Sequence, residues 1–324
     1  MNRIFADDGN FYCNIYGRAE GTSYSIVYQD EEDRDFQPEI ENLLKKFEKS
    51  LSVYDETSII SRINRNEDVE IDEYFRTLFT KAAEISRLTE GVFDISAEPL
   101  FRAWGFSSEG KTNLDQDSIV ELKQYIGMDK VRIEGNKVRK DNPNIVLNAN
   151  AIAKGYSADI VADFLDEKAC KHYLVEIGGE IRSKGRNPEG ELWRIGIDKP
   201  SDDNPLPGQH LQAILQLSDK AVATSGNYRQ FTMEKGQRIN HTINPVTGYP
   251  VESELASVTI VADDALTADA LATAAMVAGV ETTIQWSEKY QNFEAIFILN
   301  QKGIYQTYCT RNISPYLYLM DDED

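Results

Sequence analysis

The sequence predicts an α+β (mixed α/β) fold, with helices packed on mixed or antiparallel sheets. Three observations carry that expectation. Apolar residues recur at helical spacing in the first half, the middle third alternates at strand spacing, and glycine-bearing turns punctuate the strands. A length of 324 residues suits two domains or one large unit with a substantial core.

Residues 11–29 alternate apolar and polar across Gly21-Thr22 and read as two strands. Ile40, Leu43, Leu44, Phe47 and Leu51 share a helical face that starts near Pro38. The segment 54–64 is polar and turn-rich. Residues 72–90 form a second amphipathic helix that Gly91 stops, and a third spans about 117–126 and ends at Gly127. A hairpin around Glu134-Gly135-Asn136 precedes a short apolar strand at 145–147 and a helix over about 150–168. Strands follow at 173–177, 180–184, 193–197, 212–217, 221–225, 228–234 and 257–262. The most loop-like segment is 198–210, with Pro200, Pro205, Pro207 and Gly208. A helix bearing Asp269, another near 281–290 and a hairpin around Gln301-Lys302-Gly303 complete the pattern. Residues 1–320 read as a single domain and 321–324 as a disordered acidic tail.

Charge narrows the function classes. With 34 Lys+Arg against 54 Asp+Glu, the formal charge is −20, which disfavours a nucleic-acid or anionic-membrane surface. An anionic substrate has to be held locally, by a metal, backbone N–H groups or a few lysines. Cys13, Cys170 and Cys309 match no metal spacing, and His172, His210 and His241 form no zinc pair. No run of 18 apolar residues predicts a transmembrane segment, and neither a Walker sequence nor G-x-G-x-x-G is present.

The stretch Ala268-Asp269-Ala270-Leu271-Ala272-Thr273-Ala274 is the most informative. In a helix, Asp269 and Thr273 stand one turn apart on one face, roughly 6 Å along the axis. They offer hard oxygen ligands to a small cation such as Mg²⁺, which fills its shell with waters and substrate phosphates. The plain alternative is an alanine-rich core helix. Lys154, in the first turn of its helix, could hold a phosphate or simply reach solvent, and Gly155 beside it suggests close backbone approach. Trp104-Gly105-Phe106 offers a flat aromatic face or a hydrophobic corner. Gly178-Gly179 fits a hairpin or a ligand loop. Thr224-Ser225-Gly226-Asn227-Tyr228 and His241-Thr242-Ile243-Asn244-Pro245 bring hydroxyls and amides in turns, and His241 is a proton carrier or a structural histidine.

Taken in order, these segments resemble the ApbE-type flavin transferases, the FAD:protein FMN transferases. The likeness runs from Gly21-Thr22 and Ser58-x-x-Ser61-Arg62-x-Asn64, through Phe93-Asp94, Trp104-Gly105-Phe106 and Ala151-x-x-Lys154-Gly155-Tyr156. It continues through Gly178-Gly179, Thr224–Tyr228, His241-x-x-Asn244-Pro245-x-Thr247-Gly248 and Asp269-x-x-x-Thr273. The resemblance implies a two-lobed architecture around a central FAD and metal cleft. It implies a Mg²⁺-dependent enzyme with FAD as substrate, which moves FMN onto a Thr or Ser of an acceptor protein and releases AMP. Asp269, Thr273 and the Ala151 carbonyl would hold the metal. Trp104, Gly105, Phe106, Lys154, Glu180, Ser225, Gly226, Asn227 and Tyr228 would line the FAD site. His241 or Asp269 would take the acceptor proton. Alternatives are an FAD pyrophosphatase and a non-catalytic flavin-binding protein. Family members are usually exported, which implies a periplasmic or cell-envelope location with a leader removed; the cytoplasm is the alternative. The chain departs from the usual pattern at Asn148 and Asn150, where many members carry aspartate and glycine, and at Glu180, where another acidic residue is usual.

Overall fold

The structure, a computed structural model, describes residues 2–5, 11–106, 115–201, 204, 208–227, 231–234, 237–240 and 242–320. Tyr228, His241 and the acidic tail lie outside them.

The chain opens with strands β1 (Asn2–Phe5), β2 (Phe11–Ala19) and β3 (Thr22–Gln29), then helices α1 (Gln37–Leu51), α2 (Ile59–Asn64), α3 (Glu73–Leu88), α4 (Glu98–Ala103) and α5 (Gln116–Lys123). The hairpin β4 (Val131–Glu134) and β5 (Lys137–Lys140) leads to α6 (Ala153–Glu167). Strands β6 (Tyr173–Ile177), β7 (Glu180–Lys184), β8 (Trp193–Asp198), β9 (Leu211–Leu217), β10 (Ala221–Gly226), β11 (Phe231–Glu234), β12 (Gln237–Asn240) and β13 (Leu255–Ala262) follow. The chain ends with α7 (Ala265–Tyr290), β14 (Phe293–Gln301), β15 (Ile304–Cys309) and β16 (Leu317–Leu319). Every strand pairing among the described residues is antiparallel, so the α+β expectation holds.

Two compact units emerge. The first comprises Met1–Lys45, Lys154–Arg229 and Glu254–Asp324. It holds a nine-stranded sheet in the order β1-β2-β3-β6-β7-β10-β13-β14-β15 and a three-stranded sheet, β16-β9-β8. Strand alternation sends Ile15, Ile26, Val175 and Ile177 to one face, where Ile40 and Leu44 of α1 and Val161 and Leu165 of α6 cover them. Val222, Val261, Ile296 and Ile298 point to the other face, against Ile195, Ile197 and Leu215 of the small sheet. Strand β13 is buried at every position, because α7 also packs against it.

The second unit, Lys46–Ala153 and Gln230–Ser253, is mainly helical. Helix α3 begins at Asp72, whose side chain accepts from Phe75 N, and buries Phe75, Leu78, Phe79, Ala82 and Ile85 on one face. Each such large side chain contributes about 1.5–3 kcal/mol when fully buried.

Three expectations need correction. The polar stretch 54–64 contains α2, because Ser58 caps it by accepting from Ser61 N. Residues 145–147 form no strand. Instead Asn64 pairs with that backbone, accepting from Leu147 N at 2.8 Å and donating to Leu147 O at 2.8 Å. Helix α6 starts at Ala153 rather than near Asn150, since the Asn148 side chain accepts from Asn150 N and holds a turn there. The two expected C-terminal helices are present within α7, separated by the non-helical backbone of Gly279 (φ 80°, ψ 178°).

Candidate active site

Helix α7 starts at Asp264, whose side chain accepts from Thr267 N at 2.6 Å. Its buried alanines, among them Ala268, Ala270, Ala272 and Ala274, let the helix lie close on β10, β13 and β14. Into this apolar wall the sequence places Asp269, only 4% exposed. Its Oδ2 accepts from Gly155 N at 3.0 Å. That bond requires glycine: a Cβ at residue 155 would lie 2.1 Å from the Ala265 carbonyl oxygen. The suspicion of close backbone approach at Gly155 is met.

Lys154 is the second residue of α6, and its Nζ meets Glu180 Oε1 at 2.6 Å. Glu180 opens β7 directly after the Gly178-Gly179 turn, where both residues have positive φ (63° and 101°). A Cβ at Gly178 would sit 3.0 Å from Lys154 Cδ, so this turn is both a hairpin and the wall along which the lysine lies.

The electrostatics of these three side chains are unbalanced. Burial pushes the carboxyl pKa of Glu180 up, and the nearby Asp269 charge adds to that against the pull of Lys154. Burial likewise raises Asp269 against Lys154 and the Gly155 amide. Burial disfavours the Lys154 ammonium, yet the Glu180 and Asp269 charges together raise its pKa. Two buried carboxyls thus face one ammonium. Glu180 Oε2 is buried with no hydrogen-bond partner.

A cation fits this donor set. The carboxylate of Asp269, the Thr273 hydroxyl one turn on and the unpartnered Glu180 oxygen are all hard ligands. Among the described residues, no three His, Cys, Asp or Glu side chains gather into a complete cage. The pattern therefore suits an ion that takes one or two carboxylates and finds its other ligands elsewhere, as Mg²⁺ does.

Ser225 and Gly226 end β10 opposite Val258 and Ser257. Asn227 is pinned to the neighbouring strand, its N donating to Ala256 O and its Nδ2 to Leu255 O. All these residues lie in the first unit.

Ala151 and the Trp104 segment belong to the second. Ala151 lies in the turn before α6, where Ile152 N and Ala153 N both donate to Ala149 O. Asn148 donates to Glu98 Oε2 at 2.7 Å, so a carboxylate stands beside the position where an aspartate is usual. Sequence reasoning missed Glu98, although its place next to Pro99 at a helix start was a signal. Trp104 Nε1 donates to Gly248 O at 2.9 Å, and its ring leans on Tyr249 at 6.2 Å. Trp104 and Phe106 pack against Leu100, Ile119 and Ile243, with Gly105 (φ 87°) turning the chain between them. The segment packs one side on this cluster and stays half exposed on the other. Asp94 is a staple in the same unit, accepting from Ser96 N and Met128 N.

Comparison with known proteins gives the family. The ApbE family model matches residues 21–297. A Vibrio cholerae protein named FAD:protein FMN transferase is 34% identical over 313 residues, covering 94% of this chain and 92% of that protein. A Haemophilus influenzae protein of the same name is 33% identical, covering 88% of this chain and 86% of that one. The solved structure of the flavin transferase ApbE from Vibrio cholerae superposes with a TM-score of 0.82 at 33% identity, covering 94% of this chain and 99% of that one. The apo Pseudomonas stutzeri flavinyl transferase ApbE gives 0.83 at 30% identity, covering 94% and 96%. On sequence and on fold, this chain belongs to the ApbE family.

Proposed function

We propose that this chain is an FAD:protein FMN transferase that needs Mg²⁺, modifies a Thr or Ser hydroxyl of its acceptor protein and releases AMP. Family membership gives the reaction class. The observation that carries the reading into this chain's chemistry is the half-buried Lys154 against buried Glu180 and Asp269, with one carboxylate oxygen unpartnered among the described residues.

In the reaction, the acceptor hydroxyl oxygen attacks the phosphorus that bears FMN. The P–O bond to the AMP half breaks, and AMP leaves with the bridging oxygen and its electron pair. The hydroxyl proton passes to a base, His241 in our reading, with the Asp269 carboxylate as its rival. Positioning and charge neutralisation supply most of the catalysis in phosphoryl transfer. Asp269 and Thr273 would hold Mg²⁺, which when bound neutralises charge on the diphosphate; the Ala151 carbonyl comes from the resemblance. Lys154 supplies a fixed positive charge, and Glu180 keeps that lysine from swinging into solvent. The Gly155 amide fixes which oxygen of Asp269 faces away from α6.

Mass spectrometry tests the proposal. After incubation with FAD, Mg²⁺ and candidate acceptor peptides, one hydroxyl residue should gain a single FMN while AMP appears in equal amount. AMP and free FMN without peptide modification would instead make the protein an FAD pyrophosphatase. No AMP under any divalent metal would remove catalysis from it.

A further inference from the structure

The proposed metal helix is fastened by a side chain that the mechanism above does not use. In the first unit, Asp159 lies on α6 one turn after Gly155. Its Oδ1 accepts from Ala265 N and its Oδ2 from Leu266 N, both at 2.8 Å. Asp264 takes Thr267 N through its side chain and Ala268 N through its carbonyl. The first N–H groups of α7 are thus all satisfied, two of them by a residue from a different helix. Asp159 in turn faces Arg182 of β7, with Nε 3.8 Å from Oδ1. Arg182 Nη1 is buried and makes no hydrogen bond, so Asp159 is its main charge partner.

Two bonds from α6 therefore grip α7 at separate heights. Gly155 N holds the Asp269 carboxylate itself, and Asp159 holds the backbone one turn earlier. With glycine-close approach between them, neither rotation nor sliding of α7 is possible without breaking one bond. We infer that Asp159 is a positioning residue for the proposed site, fixing the rotation and height of α7 so that Asp269 and Thr273 present their oxygens to the metal. The inference rests on the transferase reading for its metal, and on the geometry alone for its grip.

The grip depends on charge. Burial pushes the Asp159 carboxyl up to about 7, opposed by the bonds from Ala265 and Leu266; Asp264 raises it further and Arg182 lowers it. Asp163, also on α6, faces Arg182 and competes for it. The closed helix start therefore favours the protonated carboxyl, and raising the pH through about 7 weakens the grip.

Asp159→Asn tests the role, because it keeps the shape but removes one acceptor and the charge. Two measurements are made. In the metal-free protein, hydrogen exchange at the Ala265 and Leu266 amides, corrected for intrinsic rates, should lose protection as pH rises through about 7 in the parent chain, because the closed helix start holds the Asp159 proton more tightly than the opened one. In the variant it should be low throughout. At pH 8, the Mg²⁺ concentration for half-maximal FMN transfer should rise by about 10- to 100-fold, the usual cost of losing an outer partner of a metal ligand, with kcat at saturation within about threefold. A folded variant with parental protection and parental Mg²⁺ dependence overturns the inference. If Asp159→Asn does not fold, Arg182→Met replaces it: because Arg182 lowers the Asp159 pKa, the pH above which protection falls should move up by about one unit, and no movement overturns the inference. Absence of any FMN transfer by the parent chain would overturn the transferase reading and leave the exchange result standing.

Discussion

Two half-buried lysines, one in each unit, show how differently a protein can use the same charge. Lys140, in the second unit, points its ammonium at four backbone carbonyls: Ile63 O, Asn64 O, Pro143 O and Ile145 O, at 2.9–3.4 Å. Two of these close the end of α2, where carbonyls lack helical partners and a cation is favoured. Burial lowers the pKa of Lys140 and no carboxylate restores it. Its surroundings are neutral and complete. Lys154, in the first unit, faces Glu180 and Asp269, and its surroundings carry more negative charge than it can cancel. A cage of carbonyls closes a structure, whereas a surplus of buried carboxylate leaves a site open for another cation.

The largest effect should come from removing that surplus. Asp269→Asn keeps an oxygen for the Gly155 amide, so the fold should survive, with a melting midpoint close to the parent's. FMN transfer should fall by about 100-fold or more, as when a fixed charge-stabilising group is removed from a reaction centre. Retention of full activity would show that the buried carboxylate is structural, as Lys140 is.

Next comes the contrast between the lysines. Lys140→Met leaves carbonyls without donors and should cost about 2 kcal/mol of stability, equally with and without Mg²⁺. Lys154→Met should also destabilise, because two buried carboxyls then face no cation. Here, however, Mg²⁺ should restore part of the loss, since a ligand that binds only the native state stabilises it by mass action. Thermal melts of both variants across a Mg²⁺ series read this directly. The same response in both would erase the distinction.

The elements that the sequence made legible are those whose signals are local. The β6–β7 hairpin shows in its alternation and Gly178-Gly179, and α3 in its apolar face and Asp72 cap. Asp269 stood out because Thr273 follows it one helical turn on, two hard oxygens on one face. What escaped depends on distant partners. The stretch 145–147 looked like a strand because it is an apolar run, but the Leu147 backbone bonds to Asn64, 83 residues away. Helix α2 was hidden by its polar residues and is secured by the Ser58 cap and the Lys140 plug. The pairing of Lys154 with Glu180 spans 26 residues and the Gly155–Asp269 bond 114, separations at which periodicity says nothing.

The smallest effect sharpens the comparison by its sign. In the first unit the folded pKa of Asp159, about 7, lies above the value near 3.9 expected in an unfolded chain. Between those values the native state keeps a proton that the unfolded state gives up. Rising pH therefore removes stability through that window, by at most about 1.4 kcal/mol per unit. In the second unit, hydrogen bonds from Lys49 and then Thr57 pull Asp55 down to about 2. Its contribution is present above the unfolded value and is lost as pH falls toward 2. Urea midpoints from pH 3 to 8, compared between the parent and Asp159→Asn, should give a stability difference that shrinks as pH rises toward 7. The parent against Asp55→Asn should give a difference that grows as pH rises through the carboxylate range. Because every other group is common to each pair, the two differences isolate single carboxyls. A flat difference for Asp159 would mean that its carboxylate is as well accommodated as Asp55, and that the first unit stores no electrostatic strain at the start of α7.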